Sequence, residues 1–319
     1  MTPLQIVLLC IGIVLCLFLL HILLSLFIAH QIYTKTLRRQ SKDHWGRFPS
    51  DNSPLHLQMD GSGMDWHYAN LDKKTDVHIT RDGLNLYGEF YDFGSDKCAM
   101  ILSGRTESLR YGYYFAQPYA KAGLSILVVD PRAHGLSDGQ YNTLGFEESK
   151  DDLVWVKYLH ENHGINHIVF HGICIGAAGG MFTCTSDECP NYIDGMVTEG
   201  MFARFQESMR NHLRKRKKLI FPILQCIDFW CKHFTGHSMK FGPLNVIHKM
   251  DQKLLMLHSL EDNISPPHYA QLLFDRCGSE NKKMVWFETG DHSMLRINHT
   301  EKYDNEITEF LKQLYPDIV

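Results

Sequence analysis

The stretch His171-Gly172-Ile173-Cys174-Ile175-Gly176 follows an apolar run ending at Phe170 and leads into Ala177-Ala178-Gly179-Gly180. A Gly-x-Cys-x-Gly turn between a strand and a helix bends sharply enough to lift its central side chain above a sheet. The Cys174 thiol would then be presented as a nucleophile, and the start of the following helix would favour its thiolate. The next residue, Ile175, would point its backbone N–H at an oxyanion. Two later loops hold the partners such a nucleophile needs. Asp262 lies within His258-Ser259-Leu260-Glu261-Asp262-Asn263-Ile264-Ser265-Pro266, and His292 within Thr289-Gly290-Asp291-His292-Ser293, each past a short apolar run. Nucleophile, acid and histidine in that chain order suit a nucleophile on a strand-to-helix turn. His292 would take the proton from Cys174 and return it to the leaving group, while Asp262 orients the imidazole and stabilises its charged form. Singly, each residue has a plainer role: a packed thiol, a solvated carboxylate, a solvated imidazole. Their joint occurrence at strand ends points to acyl chemistry.

The elements that would hold these groups are legible as alternating apolar runs and helical patterns. Val77–Thr80, a turn at Asp82-Gly83, and Leu84–Tyr91 read as two strands. Ala99–Leu102, Ser125–Val129, His167–Phe170, Gly195–Thr198, Leu254–His258 and Lys283–Phe287 read as six more. Helical patterns lie at Arg110–Ala122, Glu147–Asn162, Tyr269–Arg276 and Glu301–Leu314. This alternation predicts an α/β fold, a mostly parallel sheet covered on both faces, with ligands bound beyond the carboxyl ends of the strands. The segment from about 202 to 250 interrupts the rhythm and predicts a helical cap.

Four stretches carry a resemblance to the α/β-hydrolase superfamily over roughly residues 75–316, nearest to its lysophospholipase, monoacylglycerol-lipase and serine-aminopeptidase-like branch. Ser103-Gly104-Arg105-Thr106-Glu107-Ser108 is similar to the Gly-Arg-x-Glu-Ser loop of bacterial lysophospholipases, which implies that the Arg105 N–H is the second oxyanion donor. Asp130-Pro131-Arg132-Ala133-His134-Gly135-Leu136-Ser137 resembles the Asp-x-Arg-Gly-x-Gly-x-Ser loop, with Ala133 in a usual glycine position. The elbow and the Asp262 and His292 loops complete the set. The resemblance implies hydrolysis of a carboxylic ester or thioester, with lipid-derived acyl groups among the candidate substrates, without a cofactor or metal. Most of that branch carries serine at the elbow; cysteine stands there in dienelactone hydrolases and polyhydroxyalkanoate synthases. A thioester intermediate transfers to amines or thiols as well as to water, so an acyltransferase is an alternative, and a catalytically silent binding protein is another.

Leu4–Ala29 is almost uniformly apolar and longer than the ~20 residues that cross a bilayer as a helix. It lacks the basic start and small-residue cleavage site of a signal peptide, and predicts a single uncleaved transmembrane anchor over 4–29. Lys35, Arg38, Arg39 and Lys42 follow the span and nothing positive precedes it, so the positive-inside rule places the hydrolase domain in the cytoplasm. The odd number of cysteines beyond the span (nine in all, less Cys10 and Cys16) forms no disulfide-framework pattern, in keeping with that side. Residues 30–75, with Pro49, Pro54, Gly61 and Gly63, show no clear period and predict a juxtamembrane linker before a domain over 76–319. Within the cap, Arg214-Lys215-Arg216-Lys217-Lys218 precedes Leu219-Ile220-Phe221-Pro222-Ile223-Leu224. Such a run is either a solvated helix face or a surface pressed on an anionic leaflet. Cys226, Cys231, His233 and His237 match no zinc spacing. Lys+Arg 32 against Asp+Glu 36, a net charge of -4, gives no footprint for nucleic acid. The expected partners are the bilayer and a small-molecule or lipid acyl substrate.

Overall fold

The structure, a computed structural model, describes residues 1–39 and 53–318. Its centre is a sheet that, among the described residues, has eight strands in the order β1-β2-β4-β3-β5-β6-β7-β8. β1 (Lys74–Arg81) and β2 (Leu84–Tyr91) form a hairpin that joins β4 (Ser125–Val129) antiparallel. From β4 onward the sheet is parallel: β3 (Lys97–Leu102), β5 (His167–Ile173), β6 (Ile193–Glu199), β7 (Lys253–Ser259) and β8 (Lys282–Phe287).

Strand residues alternate between two buried faces, as a period of two requires. Met100 and Phe170 point into one core with Trp155 and Met196, while Ile101 and Val169 point into the other with Phe115 and Val197. The first core is covered by α4 (Phe146–His163), α5 (Ile175–Cys184) and α8 (Pro267–Arg276). The second is covered by α3 (Leu109–Lys121), the short α9 (Leu295–Asn298) and α10 (Thr300–Leu314). The cap contains α6 (Phe205–Lys215) and α7 (Ile223–Thr235), followed by two short 3-10 turns at Pro243–Asn245 and Ile247–Lys249.

The N-terminal region holds more helix than its sequence announces. The apolar helix α1 does not stop at residue 29 but spans Pro3–Leu37, and one stretch of it has a mean hydropathy of 3.2, enough to cross a membrane by length and composition. Its last turns are part of the globular unit. Ala29, Tyr33 and Leu37 are fully buried in a core shared with the cap residues Ile227 and Cys231. The chain beyond is pinned too: Arg39 donates from its backbone N–H to Gln140 O and from its guanidinium to Ser137 O and Gly135 O. The predicted linker holds a further helix, α2 (Pro54–Ala69). Lys42 and Pro49 lie outside the described residues.

The helix α2 arises although its sequence has two glycines and no amphipathic period. Ser53 caps it by accepting from His56 N–H, and Pro54 sits at its first position, where a missing N–H costs nothing. Tertiary contacts supply the rest: Met59 is buried, Asp60 pairs with Arg110 of α3, and Gln117 donates to Ser62 O. Gly63 marks the helix crossing, since a Cβ there would stand 3.1 Å from Tyr114 N.

Candidate active site

The three expected residues converge at the carboxyl ends of β5, β7 and β8. Cys174 sits between β5 and α5 with φ 53° and ψ −109°, a backbone conformation that a non-glycine residue holds only under constraint. The constraint is steric and comes from both flanks. A Cβ on Gly172 would lie 2.5 Å from Ala177 Cα, and one on Gly176 would lie 2.0 Å from Leu102 O. The elbow is fastened from below by Cys174 N–H donating to Glu199 O at 2.9 Å. Cys174 is left half-buried at the head of α5.

His292 Nδ1 and Asp262 Oδ2 are 2.8 Å apart. The other carboxylate oxygen, Asp262 Oδ1, accepts from Ile264 N and Ser265 N, each at 2.8 Å, so the carboxylate is fully oriented. His258 stands behind it with Nε2 2.8 Å from Ser265 O; burial holds this imidazole below its ordinary pKa, and as a neutral ring it donates there. With Nδ1 engaged, His292 Nε2 is buried and has no hydrogen-bond partner of normal geometry among the described residues. That nitrogen is therefore available to a proton in flight. Gly200, at φ +62° after β6, makes room for the ring: a Cβ there would meet His292 Cε1 at 2.9 Å.

The electrostatics favour an ion pair. Burial alone would push the Cys174 thiol up, but the His292 imidazolium, with help from Arg105, reverses this and holds it below its ordinary 9.0. Burial alone would lower His292, yet the Cys174 thiolate and Asp262 carboxylate raise it well above 6.5. Burial would likewise raise Asp262, and His292 overrides it, holding the carboxyl below its usual value. A lowered thiol and a raised imidazole both favour the thiolate–imidazolium form over the neutral pair. The sign is testable. Iodoacetamide alkylation of Cys174 should reach its plateau at a lower pH than that of an ordinary thiol and fall as pH drops through the depressed thiol pKa. A rate that climbs about tenfold per unit up to pH 9 would show an ordinary thiol.

Ile175 is the first residue of α5, so its N–H is one of the free donors of a helix start. Gly104 brings the loop after β3 against the elbow, for a Cβ there would be 3.6 Å from Cys174 Cβ. Arg105 follows it, and its side chain does more than its place in a motif implied. Its guanidinium donates to Thr36 O of α1 at 3.1 Å, and burial among site residues lowers its pKa. Gly104, Arg105, Cys174 and His292 line a cavity of ≈ 360 Å³ together with Phe205, Met209 and His212 of α6, Thr36 of α1 and His56 of α2. The cavity is thus closed by elements read in the sequence as anchor, linker and cap. Gly200 and Glu199 were also missed. They end β6, and the position past a strand end was the signal available.

Other marked residues serve the scaffold. Asp130 accepts from Leu109 N and Leu136 N, both at 2.8 Å, and ties the loop after β4 to α3. Ala133 takes φ 64°, the left-handed conformation that explains why glycine is usual there. Cys226 and Cys231 are buried in the cap core, His237 Nε2 lies 3.1 Å from Glu147 Oε1, and the described residues contain no cluster of three metal-ligating side chains.

No protein-family model matches the chain. It is 29% identical over 222 residues to an uncharacterized protein of Bacillus subtilis, YqkD, spanning 68% of this chain and 70% of that one. It is 25% identical over 247 residues to an uncharacterized membrane protein of Saccharomyces cerevisiae, spanning 76% and 79%. Among solved structures, an esterase of Pyrococcus furiosus is similar at TM-score 0.65 and 23% identity, over 84% of this chain and 96% of that one. The α/β hydrolase GrgF of a Penicillium species is similar at TM-score 0.58 and 16% identity, over 76% and 98%. The mostly parallel sheet with helices on both faces, and these likenesses, make the fold that of an α/β hydrolase.

Proposed function

We propose that the chain is a membrane-anchored hydrolase that cleaves a carboxylic ester or thioester through Cys174, His292 and Asp262. The observation that carries this reading is the pairing of a strained elbow thiol with an imidazole that is fixed by Asp262 through Nδ1 and electrostatically coupled to that thiol. The Pyrococcus protein is an esterase, and the yeast relative is described as a membrane protein, which supports both halves of the proposal.

The Cys174 thiolate attacks the acyl carbon, forming a C–S bond as the carbonyl π electrons move to oxygen. The N–H groups of Ile175 and Arg105 receive that oxyanion. Collapse expels the alkoxide or thiolate leaving group, which takes the proton from His292 Nε2, and a thioester remains on Cys174. His292, now neutral, takes a proton from water; the hydroxide adds to the thioester, and collapse releases the acid and restores the thiolate. Asp262 keeps the ring in the tautomer with Nδ1 protonated throughout.

The test mixes full-length protein in detergent with p-nitrophenyl esters of several acyl lengths and reads intact mass within seconds. An acyl adduct absent from Cys174→Ala and decaying in plain buffer is the expected result. An adduct that persists until an amine, alcohol or thiol is added would make the protein an acyltransferase. No adduct with any ester would leave Cys174 a packed thiol and end the proposal.

A further inference from the structure

The cap and the apolar helix are locked side by side. Trp230 Nε1 donates to Leu26 O at 2.9 Å, and the Trp230 ring lies 4.8 Å from His30. One turn further along both helices, Phe234 lies 5.9 Å from His30 and stacks on Tyr33 at 5.5 Å. Rising residue numbers in α7 therefore meet rising numbers in α1, so the two helices run parallel and in step. From Trp230 back to Ile223, α7 descends about 10 Å at about 1.5 Å per residue. That brings its start level with α1 near Leu20, below Ser25, which is the buried residue of α1 nearest its N-terminus. The turn before α7 therefore lies beside the part of α1 that is apolar all round.

The turn has the composition such a position demands. Leu219 is 65% exposed and Phe221 73%, and nothing in the described protein covers them. Arg214 to Lys218, immediately before, are all exposed. Trp230 and the 52% exposed Phe229 stand one level higher, where a bilayer has its interface. An apolar tip, preceded in the chain by a basic run and followed up α7 by aromatic side chains, has the composition of a segment seated at a leaflet surface.

We propose that the α6–α7 turn is a second membrane contact, with Leu219 and Phe221 in the acyl region of the leaflet and Arg214–Lys218 on anionic head groups. This rests on reading α1 as the membrane span. Continuity with α1 at the same level selects a bilayer over a protein partner, because any other occupant would have to share the space of the lipid around α1. Lys215 of the basic run and the nearby His212 line the cavity that holds Cys174. The basic run and the cavity thus share a wall, and an anionic group held by the run would stand beside the cavity.

The test does not depend on catalysis. Full-length Phe221→Trp, and separately Leu219→Trp, is reconstituted into phosphatidylcholine–phosphatidylserine vesicles with or without bromine in the acyl chains. The emission added over the wild type should be blue-shifted and quenched at least twofold by acyl-chain bromine, and protected from aqueous iodide. A Tyr68→Trp control, on the exposed side of α2, should show the reverse. Added emission that is quenched by iodide alone overturns the proposal. So does blue-shifted emission untouched by brominated lipid, which would mean a protein covers the turn. Either result leaves the acyl-adduct experiment unaffected, so the two readings fail separately.

Discussion

Replacing His292 with glutamine should lower the rate of acyl-adduct formation by about 10²–10⁴-fold while the protein stays folded. The substitution keeps a donor within reach of Asp262, so the buried carboxylate, 2% exposed and also held by Ile264 N–H and Ser265 N–H, is not stranded. What disappears is charge and a proton. Without the imidazolium, burial is the dominant influence on Cys174, and the thiol rises from its depressed pKa. The leaving group also loses the acid that protonates it. The two losses separate experimentally. An activated phenyl ester needs little protonation, so its deficit reports the thiolate and should shrink as pH is raised. An alkyl ester needs both and should not recover. A glutamine variant within threefold of wild type on both esters would mean that His292 takes no part.

The second large effect is structural. Gly176→Ala should destabilise the protein by about 3 kcal/mol or more, because the added methyl meets backbone and not a side chain that can swing away. The Cβ would stand 2.0 Å from Leu102 O and 2.5 Å from Leu102 C, at the last residue of a central strand. Either α5 moves off the sheet or β3 moves away from the elbow. In the first case the Ile175 N–H leaves its place; in the second the Gly104–Arg105 loop does. Thermal unfolding should therefore shift downward by many degrees, with loss of adduct formation even where the variant is still folded. A full-strength adduct in a variant of wild-type stability would refute the close packing of the elbow.

Both predictions concern residues that were legible without coordinates, and the reason is local. An elbow is a short-range device, written as glycines around a nucleophile, and each triad partner follows a strand whose short apolar run is itself distinctive. Ser125–Val129 was read to the residue because Gly123 and Asp130 bracket it. The antiparallel hairpin was visible as two alternating runs about Asp82-Gly83. What escaped was written only in tertiary contacts. Beyond the Ser53-Pro54 start, the run Pro54–Ala69 has no helical period; what holds it is Arg110, Gln117 and the Tyr113–Tyr114 backbone, which lie on another element. The same holds for the end of α1, whose burial at Ala29, Tyr33 and Leu37 depends on Ile227 and Cys231, far along the chain. Hydropathy reports where a segment is apolar and is blind to where an apolar helix stops facing lipid and starts facing protein.

The bond from the Arg105 guanidinium to Thr36 O joins the last turn of α1 to the Gly104–Arg105 loop that packs against the elbow. The helix is thus a strut and not a leash. It is clamped at Leu26 by Trp230 and at Tyr33 by the cap, the chain just past it is held by Arg39, and its last turn bears on the Gly104–Arg105 loop. If α1 is the membrane span proposed above, the globular unit cannot be freed from it by trimming at the start of the globular sequence. A cut near Thr36 removes a wall of the cavity, whereas a cut on the N-terminal side of Ser25 severs the apolar part of the helix and leaves the buried turns standing.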